Sequence, residues 1–286
     1  MVPMDEDKYP PETDRRRFVK GVVGGSSMAA ITTAGAAAVN SSTTDVGKGG
    51  GSVTYRAIRN TDGPAPRGLP QIPLETDEDG YLKGVWPEAE TRTLEDGTEI
   101  TVAETEIAGV TYSSRWFQYC GVQTYRNIQP DSDHDNYLRY EPATTYDWQR
   151  QAVEGGEKVH PEDFVPYEDW TNHIGDPGYG KPADCNWRSH ADSVPAEESL
   201  AVQVIRSPLI EEAAKEDEWI AASTVKGCLA FMNKCTHFCC IPGFKDSGDA
   251  PKFGAANKSY CGCHQSVYDP FDIVEKTYIA LPRPDE

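Results

Sequence analysis

The chain has 286 residues, 38% of them apolar and 10% aromatic, enough for one large or two modest domains with a real core. Its 46 acidic residues outnumber 27 basic ones, for a formal charge of −19. A surface of that sign repels phosphate backbones, which argues against nucleic acid as a partner.

From the amino terminus, residues 14 to 20 read "DRRRFVK", with Arg15, Arg16, Phe18 and Lys20, and no residue from Gly21 to Thr44 is charged. A basic head before a weakly apolar segment resembles a twin-arginine export signal. As a helix the 24 uncharged residues would reach ~36 Å, enough for a hydrocarbon core of roughly 30 Å. We expect residues 1–44 to act as a signal retained as a membrane anchor helix, with "AAAVN" at 36–40 as an alternative cleavage site. Either way the bulk of the protein is expected at the extracytoplasmic face of the cell membrane. The twin-arginine route moves folded proteins, which favours a cofactor inserted before export, and it leads to a compartment where disulfides persist. Acidic runs such as "ETDEDG" and "EDGTE" are spread along the chain, an even distribution that resembles the proteins of extreme halophiles.

Residues 45–75, with "DVGKGGGSV" and "DGPAPRGLPQIP", read as a flexible neck. Within 76–114, "TEITVAETEIAGVTY" alternates apolar and polar residues, as one or two strands do. Residues 115–199 carry Trp116, Trp148, Trp170 and Trp187 without a periodic stretch, and read as an insertion with its own small aromatic core. Cys120 and Cys185 flank it as candidates for pairing, although spacing does not fix connectivity. "DSDHDN" at 131–136 fails as a calcium loop, with Asn136 where the turn wants Gly and Pro142 where the bidentate Glu belongs. His134, His160, His173 and His190 have no partners at metal-binding spacing and read as surface residues. Past residue 199, "LAVQVIR", "EWIAAST" and "CLAFMNK" read as short strands, with a turn or two of helix at "LIEEAAKED" and a buried Cys228. The fold class is therefore mostly β, with an antiparallel domain over 200–286 and cysteine loops between its strands.

The loops at 233–240, "NKCTHFCC", and 260–269, "YCGCHQSVYD", gather five of eight cysteines and two of six histidines. Zinc, a disulfide and an iron–sulfur cluster all use such groups. The spacings Cys235-x-His237-x-x-Cys240 and Cys261-x-Cys263-His264 differ from zinc-finger pairs. One Cys and one His from each loop would serve a metal centre, leaving cysteines over.

The two loops resemble the Rieske family motifs C-T-H-L-G-C and C-P-C-H-G-S. The resemblance covers about residues 200–286 and implies a Rieske-type antiparallel β domain with a cluster-binding subdomain and one [2Fe–2S] cluster. It implies that Cys235 and Cys261 hold one iron, that His237 and His264 hold the other, and that Cys240 and Cys263 form a disulfide between the loops. Neutral imidazoles in place of thiolates raise the potential to about −150 to +300 mV, against about −400 mV for plant-type ferredoxins. Ser266 and Tyr268 stand where the family's hydroxyls donate to a bridging sulfide and to the sulfur of Cys235, which implies the upper part of that range. Cys239 replaces the family's Gly, Gly262 its Pro and Gln265 the Gly of its second motif. The family's Gly-Pro-Ala-Pro cover loop has no counterpart after the second motif, where "KTYIALPRP" stands.

The disulfide and the export signal together imply the respiratory branch of the family. The function expected is an electron-transfer subunit of a membrane quinol-oxidising complex similar to cytochrome bc complexes. His264, or else His237, would meet the quinol hydroxyl and take part in proton-coupled electron transfer. The implied partners are a cytochrome b-type membrane subunit, quinol, and a cytochrome or blue-copper acceptor. The alternatives are a small subunit of an exported oxidoreductase, arsenite-oxidase-like or nitrate-respiratory, and a structural zinc module.

Overall fold

The computed structural model describes residues 51–93, 97, 99–189 and 194–280. The expected signal or anchor at 1–44 lies outside them, and among the described residues no helix is long and apolar enough to cross a membrane. The architecture is mostly β, with a few short helices.

Most strands join one antiparallel sheet. In chain order these are β1 (Gly51–Asp62), β2 (Leu69–Ile72), β8 (Leu138–Tyr140), β9 (Lys181–Trp187), β10 (Leu200–Arg206), β11 (Cys228–Met232), β12 (Gly243–Phe244), β13 (Ser259–Cys261) and β14 (Ser266–Ala280). Their order across the sheet is β12-β13-β14-β1-β2-β11-β10-β9-β8. A hairpin of β3 (Leu74–Thr76) and β4 (Leu82–Gly84) and a three-stranded sheet of β5 (Ala89–Thr93), β6 (Glu99–Ile107) and β7 (Val110–Ser113) complete it. The alternating stretch thus makes two strands, joined at Ala108-Gly109. Both residues have positive φ, 46° and 72°, the backbone a two-residue hairpin needs to match strand twist.

The neck expected at 45–75 is largely strand. β1 pairs with β14 along its length, and Val53, Tyr55 and Ala57 alternate into the core, so from residue 51 this segment is part of the central sheet. Flexible-linker composition is outweighed by the period-2 burial of those side chains. Two register shifts, at Ile58/Arg59 and Asn60/Asp62, bend the end of β1.

The insertion has no separate core. β8 and β9 extend the main sheet, and Trp116, Phe117 and Trp187 are buried in the same cluster as Tyr55, Phe231 and Tyr268. Trp116 packs edge-on against Tyr112 at 5.0 Å, and Phe117 against Trp187 at 5.3 Å. Arg188, 1% exposed, stacks 3.9 Å over Trp86 and donates to the carbonyls of Asn127 and Ser132 and to Asn136, fastening the irregular 127–136 segment.

The described helices are short: α1 (Asp147–Ala152), α2 (Pro208–Ala213) and α3 (Glu218–Ser223). The last replaces the strand expected at "EWIAAST". Asp217 caps it, accepting from the Ile220 N–H at 3.0 Å, and Trp219, Ile220 and Ser223 share its buried face.

Lys245, fully buried after β12, donates to the carbonyls of Asp176 at 2.6 Å and Trp170 at 3.2 Å. Burial pushes its pKa down from 10.5 to about 8, and Asp176 opposes part of that shift. Below pH 8 both states carry the proton and burial of the ammonium weakens the fold. Between pH 8 and 10.5 only the unfolded chain keeps it, so this group makes stability rise with pH. The denaturant midpoint of the wild type should therefore gain on that of Lys245→Met between pH 7.5 and 10.5. Parallel curves would contradict the assignment.

Candidate metal centre

The two cysteine loops meet at the end of the sheet formed by β12, β13 and β14. The first follows β11, and its neck is closed by Asn233 Nδ2 donating to the Pro242 carbonyl at 2.7 Å. Within it, the Cys235 N–H donates to the Cys240 carbonyl at 2.7 Å and the Cys239 N–H to the Cys235 carbonyl at 2.9 Å. The second loop turns between β13 and β14, where Cys261 pairs with Ser266, and the Gln265 N–H donates to the Cys261 carbonyl at 2.9 Å. Cys239 and Gln265, which replace glycines of the motifs, have φ of 61° and 63°. The turns keep the left-handed backbone although a side chain makes it less favourable.

A disulfide joins Cys240 and Cys263, with Cα atoms 6.6 Å apart. Buried hydrogen bonds hold the base of the second loop. Tyr146 from the insertion donates to the Phe244 carbonyl at 2.7 Å, Gln203 Nε2 donates to the Tyr146 oxygen at 3.0 Å, and Ser259 Oγ donates to Gln203 Oε1 at 3.3 Å.

Cys235 and Cys261 are buried with exposures of 1% and 0%, whereas His237 is half-buried and His264 exposed. The two thiols share a hydrogen bond that pulls the Cys235 pKa down to about 5. The Tyr268 hydroxyl, 3.1 Å from its sulfur, and the His237 and Phe238 N–H groups reinforce this against burial. The bond with Cys235, and then burial, push the Cys261 pKa up. The imidazoles meet edge to face with centroids 4.7 Å apart, and the exposed Phe238 ring lies 4.4 Å from His237 and 5.0 Å from His264. In and beside the loops, His237 Nδ1, Ser266 Oγ and Asn233 Oδ1 are buried without a hydrogen-bond partner. Such orphaned atoms are costly unless another group satisfies them.

Cys240, Cys261 and Cys263 bring their sulfurs within 4.8 Å of one another. Two of these are spent in the disulfide, so the trio is not three available thiolates. No three of Cys235, His237, Cys261 and His264 gather their donor atoms within that distance. The two thiols are buried side by side, and the two imidazoles meet further out toward solvent.

One element of the surroundings was missed in the sequence. The Gly63-Pro64-Ala65-Pro66 run, read as neck, lies against the second loop at Gly63, and the next residue, Arg67, meets the first. A Cβ on Gly63, whose φ is 81°, would stand 2.5 Å from the Gln265 carbonyl oxygen, and Thr236 Oγ1 donates to the Arg67 carbonyl at 2.6 Å. The bend at the end of β1 delivers it. The segment against the loops therefore comes from the amino-terminal side of the domain.

Cys120 and Cys185 do not pair. Both are free thiols; Cys185 lies in β9 opposite Tyr140 and Val202, and Cys120 Sγ donates to the Cys235 carbonyl at 3.2 Å. Cys228 is fully buried in β11, as expected. His160, expected at the surface, is partly buried and accepts from the Glu162 N–H as a cap. His134 is likewise partly buried, His173 is exposed, and His190 lies outside the described residues.

A scan for protein families, a search of curated proteins and a search of solved structures returned no match to this chain. What stands is a mostly-β protein that presents a disulfide-tied cysteine and histidine cluster at one end of its sheet.

Proposed function

We propose that the chain is a Rieske-type electron-transfer protein of the respiratory branch, accepting electrons from quinol at the extracytoplasmic face of a membrane. The observation that carries this reading is the polarity of the donor set. Two hydrogen-bonded thiols are buried, two imidazoles stand outside them, and the disulfide ties their loops together. The orphaned His237 Nδ1 and Ser266 Oγ fit a bound [2Fe–2S] group, one as a ligand and the other as a donor. A Gly-Pro-Ala-Pro run against the loops supplies the composition of the family's cover loop from elsewhere in the chain.

Cys235 and Cys261 would hold the inner iron, and His237 and His264 the outer. When bound, the cluster supplies one-electron chemistry at a potential raised by its neutral imidazole ligands. His264 is the exposed ring and would take the proton of a quinol hydroxyl on its outer nitrogen. Phe238, 66% exposed and with its ring 5.0 Å from that of His264, would supply apolar surface for a quinol ring or a cytochrome b-type subunit, and the exposed Ile241 would add to it next to Cys240. A cytochrome or blue-copper protein is the proposed acceptor. Purification from membranes tests the assignment. Recovery with a cytochrome b subunit supports it, whereas recovery with a molybdenum-containing subunit would place the chain in an exported oxidoreductase.

Tyr268 donates to Cys235, and the buried, unpartnered Ser266 hydroxyl would be free to form a bond of this kind to a bound cluster. Both bonds strengthen as negative charge accumulates on reduction. A differential of ~1 kcal/mol per donor corresponds to roughly 40 mV for one electron. Tyr268→Phe and Ser266→Ala should each lower the midpoint potential by about that amount, measured by EPR-monitored redox titration. Unchanged potentials would remove both residues from this role.

A further inference from the structure

A second pair of cysteines meets beside the first loop. Cys120 belongs to the insertion and Cys239 to the loop, 119 positions apart in the chain. The Cys120 thiol donates to the Cys235 carbonyl at 3.2 Å, and the Cys239 N–H donates to that same oxygen at 2.9 Å. The two residues thus converge on one carbonyl oxygen, and both are free, partly exposed thiols. Both residues hold left-handed backbone, with φ of 52° and 61°, where a glycine would be relaxed. Gly121, at 79°, continues the turn that aims Cys120 at the loop.

The surrounding contacts hold these segments together. Tyr119 donates its hydroxyl to the Lys234 carbonyl at 2.9 Å, and Lys234 Nζ donates to the Tyr125 hydroxyl at 3.3 Å. The Arg67 guanidinium lies 5.2 Å from the Tyr119 ring and 4.2 Å from that of Tyr278. Residues 119–125 thus form a strap along one side of the first loop, with Cys120 and Cys239 at their meeting point.

We propose that Cys120 and Cys239 form a second disulfide that fastens the insertion to the first loop. The oxidant is a protein disulfide of an oxidising compartment. One thiolate attacks it, forming a mixed disulfide and releasing one thiolate of the oxidant. The other cysteine then attacks the mixed disulfide at the sulfur contributed by this chain, forming the Cys120–Cys239 bond and releasing the second. Two electrons and two protons pass to the oxidant, which leaves as two thiols. The bond is distinct from Cys240–Cys263; it rests on the convergence of the two residues at the Cys235 carbonyl and on the extracytoplasmic location proposed above, and it is independent of what the loops hold.

The test uses the full chain isolated from its own cells, lysed under anaerobic acid quench. It is then alkylated with N-ethylmaleimide in denaturant without reductant and mapped by peptide mass spectrometry. Cys120 and Cys239 should escape alkylation and appear as one cross-linked peptide pair that separates on reduction. Cys185 and Cys228, alkylated in the same sample, report that unfolding was complete. Cys120→Ser should make Cys239 available to the reagent, and Cys239→Ser should do the same for Cys120. Alkylation of both in the unreduced wild type, or a cross-link from either to a different cysteine, would overturn the proposal.

Discussion

Cys261→Ser should purify without its iron. The side chain is fully buried at the end of β13, hydrogen-bonded to Cys235, and its carbonyl fastens the second loop through Gln265. A serine oxygen is too weakly acidic and too hard to replace a thiolate on iron. Changing a residue that merely supports a metal ligand costs 10–100-fold in affinity, so loss of a ligand should cut iron and acid-labile sulfide at least about tenfold. Cys235→Ser should do the same. Cys228→Ala, which removes an equally buried thiol from β11, should leave iron content unchanged. Equal loss in all three would mean that buried sulfur matters here for packing and not for metal.

The second large effect is expected from the disulfide. Cys240 and Cys263 close a stretch with a sequence separation of 23. On chain-entropy grounds such a loop stabilises the fold by about 3 kcal/mol. For a protein of this size that corresponds to a fall in Tm of ~6–12 °C in the Cys240→Ser/Cys263→Ser double variant. The local effect is expected to be larger than the global one, because the loops join the main sheet only through β11 on one side and through β12, β13 and β14 on the other. Amide exchange should rise first at the Cys239 and Gln265 N–H groups, which close the two turns. A Tm within 1–2 °C of the wild type, with protection of those amides retained, would show that the loops hold themselves without the bond.

Part of this was legible in strand patterns and in the resemblance of the two cysteine motifs to a known family. The strands expected from the alternation of "TEITVAETEIAGVTY" and from the short apolar run "LAVQVIR" are present as β6, β7 and β10, and the cysteine motifs picked out residues that meet at the end of the sheet. The Cys240–Cys263 pairing rested on motif position, and the structure has it. α3 was misread because "EWIAAST" is short and apolar, a length at which strand and helix look alike. The deciding signal was Asp217, a capping residue immediately ahead of it. β1 was hidden by the glycines and prolines on either side of it, although Val53, Tyr55 and Ala57 alternate as a strand should. The Gly63-Pro64-Ala65-Pro66 run was present in plain letters but lay some 170 residues before the loops it covers. Contacts between segments so far apart leave no periodic trace. The meeting of Cys120 with Cys239, in place of Cys185, was equally beyond reach, since sequence spacing does not encode connectivity.

The measurement that bears most directly on the central claim is EPR of the dithionite-reduced protein, combined with iron, sulfide and zinc analysis. The account predicts two irons and two acid-labile sulfides per chain, a coloured protein, and a [2Fe–2S] signal that includes coupling to nitrogen from His237 and His264. A colourless protein holding one zinc, or a cluster signal without nitrogen coupling, would contradict it.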